Sequence, residues 1–296
     1  MPTINSATQL DERYSPKIIE VLRSETFLIP GVTYNADYDG DATNAASVIF
    51  HKPTRGTVSA GAIGGDYSHV EYADSAVQCN ICNAFRKSTK LRNIAADSVS
   101  FDAGSVYIAQ TTEDVREGRD RGAIAAIVNG GTASAVTTAL TSATVKGAIL
   151  DLITAAKKKG AKPSVIVVSP TVSNLLAQSQ LTSGGVFTPE TNEKLIQGGS
   201  LGRLFGCSFL ENKELSDSTN TAVALNTAVG SAVSGGVDIS TVDFLVYDRR
   251  FFAMVNHLTD GRIVPSQDFA GSYCNVEDNC GFKVLDADGV FYYKHA

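Results

Sequence analysis

The chain has 296 residues, 43% hydrophobic and 19% charged, which is ordinary for a folded soluble protein and long enough for two domains with a substantial core. Its net charge of −6, with no basic-aromatic cluster, argues against a dedicated nucleic-acid-binding module. Residues 1–17 are polar, and the longest apolar runs (Ile124 to Val128, Val165 to Val168) are far too short to span a bilayer, so no signal peptide, cytoplasmic synthesis and no membrane association are expected.

Residues 1–43 read as an extended arm around one helix, started by Asp11 or Ser15-Pro16, carried by Ile18, Ile19 and Leu22, and ended by Ile29-Pro30-Gly31. The next stretch, 44–92, reads as a long β-ribbon. Its alternating pieces Val48-Ile49-Phe50, Thr57-Val58-Ser59 and Val77-Cys79-Ile81 are broken by the reversal Gly61-Ala62-Ile63-Gly64-Gly65-Asp66. A two-stranded ribbon is marginal in water without a third strand, a helix or another chain to lie on, so this one is an arm in need of a partner. Residues 46–95 hold six basic against three acidic residues, a surplus of +3 in an otherwise acidic protein. Two readings stand for Arg86, Lys87, Lys90 and Arg92: a solvated strand edge guarded against aggregation, or a basic arm that docks on an acidic face of a neighbouring copy.

The five cysteines (79, 82, 207, 274 and 280) are expected to be free thiols. Cys79 and Cys82 lie in an alternating segment, where an offset of three sends side chains to opposite strand faces. There is no second CxxC, and none of the four histidines has ligand spacing, so no zinc or other metal site is expected.

A helix is predicted over Thr112–Asn129, with Thr111 as N-cap, Arg116–Asp120 and Glu117–Arg121 as i,i+4 pairs, and Asn129-Gly130-Gly131 as its end. Gly118 and Gly122 sit one turn apart, where another backbone could approach. After a Thr/Ser/Ala linker, a second helix over Thr144–Lys159 carries the stripe Val145, Ile149, Leu152, Ile153 and Ala156. A buried strand at Val165–Val168 follows, then helices over Thr171–Gln180 and Glu190–Gln197. Further strands are predicted at Leu204–Leu210, Thr221–Asn226, Val242–Tyr247 and Phe251–His257, with hairpin turns at Thr259-Asp260-Gly261 and Ala287-Asp288-Gly289. Strands and helices mix without regular βαβ alternation, so the class is α+β.

Catalytic motifs fail their structural requirements. Gly198-Gly199-Ser200-Leu201-Gly202 matches G-x-S-x-G, but a nucleophile elbow needs a strand before the serine and a helix after it, and the order here is reversed. There is no P-loop and no dinucleotide fingerprint, and Asp37-x-Asp39-Gly40-Asp41 lacks the glycine and distant glutamate of an EF-hand loop. No enzyme activity and no cofactor are expected.

Taken in order, the parts resemble the major capsid proteins of tailed bacteriophages, with the Hong Kong 97-like fold. Asp11-Glu12-Arg13-Tyr14 and the helix after it resemble an N-arm, and Asp114-Val115-Arg116-Glu117-Gly118-Arg119-Asp120-Arg121 resembles the start of a spine helix. Val165 to Leu176 and Gly202-Arg203-Leu204-Phe205-Gly206-Cys207 look like axial-domain elements, and Phe244-Leu245-Val246-Tyr247-Asp248-Arg249-Arg250 is similar to the strand re-entering the peripheral domain. The resemblance implies an N-terminal arm (1–43), an E-loop ribbon (44–92), a peripheral domain with the spine helix (93–141), an axial domain (142–235) and a β-rich peripheral return (236–296). It implies a virion shell protein, made in the host cytoplasm, that self-assembles as pentamers and hexamers into an icosahedral shell around double-stranded DNA without sequence-specific binding. Portal, scaffold and decoration proteins are the further partners it implies. Some members crosslink a lysine to an asparagine on a neighbour; Lys52 lies in the ribbon, but no crosslink is predicted. An acidic subunit is consistent with a lumen that does not grip phosphates.

The contacts expected to drive assembly are Lys52, Arg55, Arg86 and Lys87 on the ribbon, meeting Glu113, Asp114, Glu117 and Asp120 at the spine-helix start, or the acidic C-terminal face. The alternatives are an encapsulin-like nanocompartment shell, which would need cargo rather than a genome, and a soluble serine hydrolase using Ser200.

Overall fold

The computed structural model describes residues 26–36, 46–53, 63, 74–92, 103–183, 203–204 and 206–295. The expected N-terminal helix, the helix at 190–197 and Ser200 lie outside the described residues.

Two strands, β1 (Ser47–Pro53) and β2 (Asp74–Asn80), pair antiparallel as a sheet of their own, with Phe50 opposite Val77 and Val48 opposite Cys79. The next strand, β3 (Asn83–Arg92), differs from expectation, because it leaves the ribbon and joins a three-stranded sheet. The long helix α1 spans Ala103–Gly130 and begins well before the expected start, so Thr111 lies inside it, buried beside Thr89, rather than capping it. After the short β4 (Thr132–Ala133) come α2 (Val145–Lys158), β5 (Val165–Val168) and α3 (Pro170–Ser183). The five stripe residues of α2 are its buried ones, two lysines complement the negative end of its dipole, and Gly160 leaves it at φ +89°.

The single strand expected over 204–210 is a tight pair, β6 (Arg203–Leu204) and β7 (Cys207–Glu211), because Gly206 turns the chain at φ +83°. The strand expected at 221–226 is mostly loop, with a small hairpin of β8 (Asn226–Ala228) and β9 (Ser231–Ala232). Strand β10 (Val242–Tyr247) falls where expected. By contrast, β11 (Phe252–Pro265) runs straight through the supposed turn at Thr259-Asp260-Gly261, whose residues pair with Asp278, Glu277 and Val276 of β12 (Gly271–Val284). A local Asp-Gly signal yields here to a long cross-strand ladder. Residues Ala287–Gly289 form a 3₁₀ turn that leads into β13 (Val290–Lys294) in a different sheet, not a hairpin.

A six-stranded sheet, ordered β4-β13-β10-β5-β7-β6, is the centre of the molecule. Both of its faces are covered, so its strands read as unbroken apolar runs. Alternation sorts them: Val165, Val167, Leu245 and Tyr247 join one core with Phe27, Leu28 and the Ala123–Ile127 stretch of α1. Ile166, Val168, Phe244 and Val246 join a second core with α2 and α3. The first core also takes Met254, Cys280 and Phe282 from the three-stranded sheet β11-β12-β3, so the second half of α1 is apolar on several sides. The paired glycines of α1 receive an aromatic ring rather than a backbone: a Cβ on Gly122 would lie 2.5 Å from Cζ of Phe85.

Candidate assembly surface

The ribbon is rooted by a small cluster of its own. Phe50 and Cys79 pack on Ala253 and Val255 of β11, flanked by Val48, Ile81 and Leu285. Close approach is possible because Gly281 of β12 lies beneath; a Cβ there would stand 2.5 Å from the carbonyl oxygen of Asn80. Between β2 and β3 the strand breaks at Ile81-Cys82, so Cys82 is not a strand residue facing away from Cys79, as its spacing suggested.

That corner is clasped by the β8–β9 hairpin. The Asn226 backbone N–H donates to Asn83 Oδ1 at 2.9 Å, and Asn83 Nδ2 returns a bond to the Asn226 carbonyl at 3.1 Å. Asn226 Nδ2 donates to the Cys82 carbonyl at 3.1 Å, Asn80 Nδ2 to the Thr227 carbonyl at 3.0 Å, and the Cys82 thiol to the Asn226 carbonyl at 3.1 Å. Sequence reasoning missed this clasp entirely, since its two sides lie more than 140 residues apart.

The thiols offer no chemistry. Burial pushes Cys79 up to about 12, with Cys82 adding to the effect, and burial likewise raises Cys82, Cys207, Cys274 and Cys280. Such groups stay protonated at neutral pH and are poor nucleophiles. Among the described residues no group of three or more His, Cys, Asp or Glu side chains could hold a metal ion. Ser216, Asp243 and His295 do meet, but the hydroxyl and the imidazole both turn to the carboxylate, at 2.9 and 3.1 Å. A hydrolytic relay needs the hydroxyl on the imidazole instead.

The charged residues singled out in the sequence have partners inside the chain. Lys87, expected on the ribbon but carried by β3, meets Asp114, so a cation and a spine-helix acid expected to meet across a subunit boundary already meet within one subunit. Lys52 pairs with Asp286 at 2.7 Å, Arg86 with Glu277 at 2.8 Å and Glu117 with Lys213 at 2.7 Å, while Glu113 takes Arg116. These replace the expected pairs: Arg116 turns from Asp120 to Glu113, and Arg121 turns from Glu117 to Glu214 at 3.2 Å. Asp120 does not reach the surface at all, with 3% of its area exposed. It accepts hydrogen bonds from Thr26 Oγ1 at 2.7 Å and, at 3.3 Å, from both the Phe27 N–H and Asn212 Nδ2. Arg55 lies outside the described residues. An open groove of about 490 Å³ runs between β3 and α1, lined by Phe85, Arg86, Lys87, Asp114, Glu117 and Gly118.

No family model matches the chain, and no curated protein matches it. Solved structures do. A structure from Mycobacterium phage Che8 superposes with a TM-score of 0.74 at 18% identity, covering 96% of this chain and 97% of that one. The capsid structure of the cyanophage P-SCSP1u gives 0.71 at 13% identity over 97% and 93%, and the capsid of the myovirus XM1 gives 0.62 at 18% over 96% and 97%. The chain therefore has the α+β fold of phage capsid subunits, the Hong Kong 97-like architecture that the order of its parts resembles, across nearly its whole length.

Proposed function

We propose that this chain is a viral major capsid protein, a structural rather than catalytic subunit that self-assembles into the icosahedral shell of a tailed phage around double-stranded DNA. The observation that carries the reading is the two-way coverage: the fold matches capsid structures from end to end in both directions, with no large part left over on either side. The ribbon supports it, because β1 and β2 form a sheet apart from the others and touch the body through a small root, the Asn80–Thr227 bond and the Lys52–Asp286 pair. A second copy of the chain is the natural surface for the rest of it.

The charged contacts enter the proposal in reduced form. Lys52, Arg86 and Lys87 keep 46%, 67% and 48% of their side-chain area exposed, and exposed ion pairs are worth only about 0–1 kcal/mol each. Exchanging an internal partner for Glu113, Asp114 or Glu117 of a neighbour is therefore inexpensive, whereas Asp120 is out of reach. Electron microscopy of the purified protein is the test: closed shells support the reading, and a small monodisperse particle refutes it. Reversing one ribbon charge and one on the neighbouring strand β3, Lys52→Glu with Arg86→Glu, should impair assembly while leaving the subunit folded by circular dichroism. Normal shells from that variant would sink the charge contribution but not the shell.

A further inference from the structure

Strand β11 is a sheet edge. The order β11-β12-β3 leaves one side of it unpaired, and among the described residues only Asn35 pairs with that side, bridging Ala253 near the strand's start. Helix α1 packs mainly on β12 and β3, and the far end of β11, residues 261–265, is exposed throughout, Ile263 and Val264 included. Two features bound the stretch open to pairing. The register against β12 shifts between Asn256 and Leu258, a bulge that interrupts the ladder on one side, and Pro265, which has no N–H to donate, closes it on the other. Between them residues 258–264 run as an unbroken strand with Gly261 at the midpoint. The charges of this stretch are Asp260 and Arg262, 3.8 Å apart on one face and both well exposed.

We propose that this edge pairs antiparallel with the same edge of a second copy, about a two-fold axis through Gly261, so that two three-stranded sheets become one of six strands. The proposal takes its second copy from the shell reading. A two-fold axis perpendicular to the sheet keeps each face on its own side, so residues set opposite one another must face the same way and their numbers must sum to an even value. The register centred on residue 260 sets Asp260 against Asp260, and the register centred on residue 262 sets Arg262 against Arg262; like charges directly opposite are unfavourable. The register centred on Gly261 sets Asp260 of each copy against Arg262 of the other, and pairs the whole of 258–264. Charges that guard an edge repel a second copy in any register. These repel in two registers and attract in the one that the bulge and the proline also select. Gly261 suits the axis, because a Cβ there would meet only Val276, at 3.8 Å, and no side chain stands between the two backbones. Ile263, which is opposite buried Cys274 but itself exposed, gains cover on its free side.

Gly261→Cys in the full-length protein tests this. Directly opposed residues of an antiparallel pair hold their Cα atoms about 4.5–5.5 Å apart, within disulfide reach. Mild oxidation followed by denaturing, non-reducing electrophoresis should give a covalent dimer, mapped by mass spectrometry to residue 261 of both chains. Adding Asp260→Arg turns both attractions into repulsions and should slow dimer formation roughly ten- to a hundredfold, and adding Arg262→Asp as well should restore the rate. No dimer, a dimer indifferent to Asp260→Arg, or a loss that Arg262→Asp does not rescue overturns the pairing. A disulfide to native Cys79 or Cys82 overturns it too, because the neighbour would then be laying its ribbon on this edge. Should Gly261→Cys not fold, sedimentation of the charge variants alone decides: Asp260→Arg should associate more weakly than wild type and the double reversal should match wild type, whereas equal association of all three overturns the pairing. Electron microscopy of the same samples keeps the two readings apart. Closed shells without the disulfide at 261 sink the pairing alone, and the disulfide without closed shells sinks the shell reading alone.

Discussion

Substituting Gly281→Ala places one methyl group between the ribbon root and the sheet that carries it. The new Cβ would stand 2.5 Å from the Asn80 carbonyl oxygen, 3.0 Å from its carbonyl carbon and 3.2 Å from Cys79 Sγ. Two of those atoms are backbone at the clasped corner, so no rotamer change relieves the clash, and the root must retreat by roughly 0.9 Å to reach van der Waals contact. Overpacking of this kind costs about 1–3 kcal/mol. Alanine recovers about 0.4–1 kcal/mol by restricting the unfolded chain. The net loss is then centred on about 1 kcal/mol, with a ceiling of about 2.6 kcal/mol. At that ceiling the protein would instead release the root and expose Phe50, whose burial contributes about 1.5–3 kcal/mol. Urea denaturation followed by circular dichroism should show an earlier midpoint, and shells should assemble less efficiently. Gly147→Ala is the control: nothing lies within 4 Å of its Cβ, so on the exposed face of α2 it should stabilise by up to about 1 kcal/mol. A Gly281→Ala protein as stable as wild type, assembling normally, would refute the claim that this glycine exists to seat the ribbon.

Asn83→Ala removes both side-chain bonds to Asn226 and leaves the Asn226 backbone N–H without that partner at a half-buried corner; we expect about 1–3 kcal/mol of destabilisation in urea and altered shell morphology by electron microscopy. Burial works against the charge of Asp248, but bonds from the Arg250 side chain and backbone and from the Lys162 N–H together outweigh it and hold the carboxyl below its ordinary value. A lowered folded value stabilises the protein above the ordinary carboxylate range, and that contribution is lost as pH falls through the range and below it. Asp248→Asn should therefore be less stable than wild type near pH 7, with the gap in thermal midpoint narrowing in acid. An unchanged gap from pH 7 down to the acid limit of folding would contradict this.

Where burial follows local periodicity, the sequence was readable. The α2 stripe, the Val165–Val168 strand and β10 each declare their burial within a few residues, because both faces of the central sheet are covered. The ribbon was overextended for the opposite reason. Residues 83–92 alternate as well as those before them, and only their pairing with β12, some 190 residues further on, separates a sheet strand from an arm. Charge misled in the same way. Asp120 looks like half of a surface i,i+4 pair, but its true partners are Thr26 and Asn212, each over 90 residues away. Nothing in the local pattern distinguishes an acid that faces water from one that holds two distant segments together.

The ribbon root and the contacts of the entering segment meet on the same two elements, and this explains why so much polar chemistry is spent there. Strand β12 carries Gly281 under the ribbon root, Asp278 against Arg119 and Glu277 against Arg86, while α1 carries Asp120 one residue from Arg119. Apolar packing alone would fix α1 between the two sheets, yet it is indifferent to small rotations about the helix axis. The Arg119–Asp278 pair is not indifferent: Asp278 is only 2% exposed, and breaking one partner of a buried pair costs about 3–5 kcal/mol. It sets the rotation of α1 against β12. That rotation aims Asp120 at the entering Thr26–Phe27 segment on one side and turns Gly122 to the Phe85 ring of β3 on another. Ribbon and entering segment thus leave from one oriented helix–sheet unit, so hydrogen bonds and close backbone approach fix the angle of each where the apolar packing of Phe27, Leu28 and Tyr34, or of Phe50 and Cys79, alone could slide.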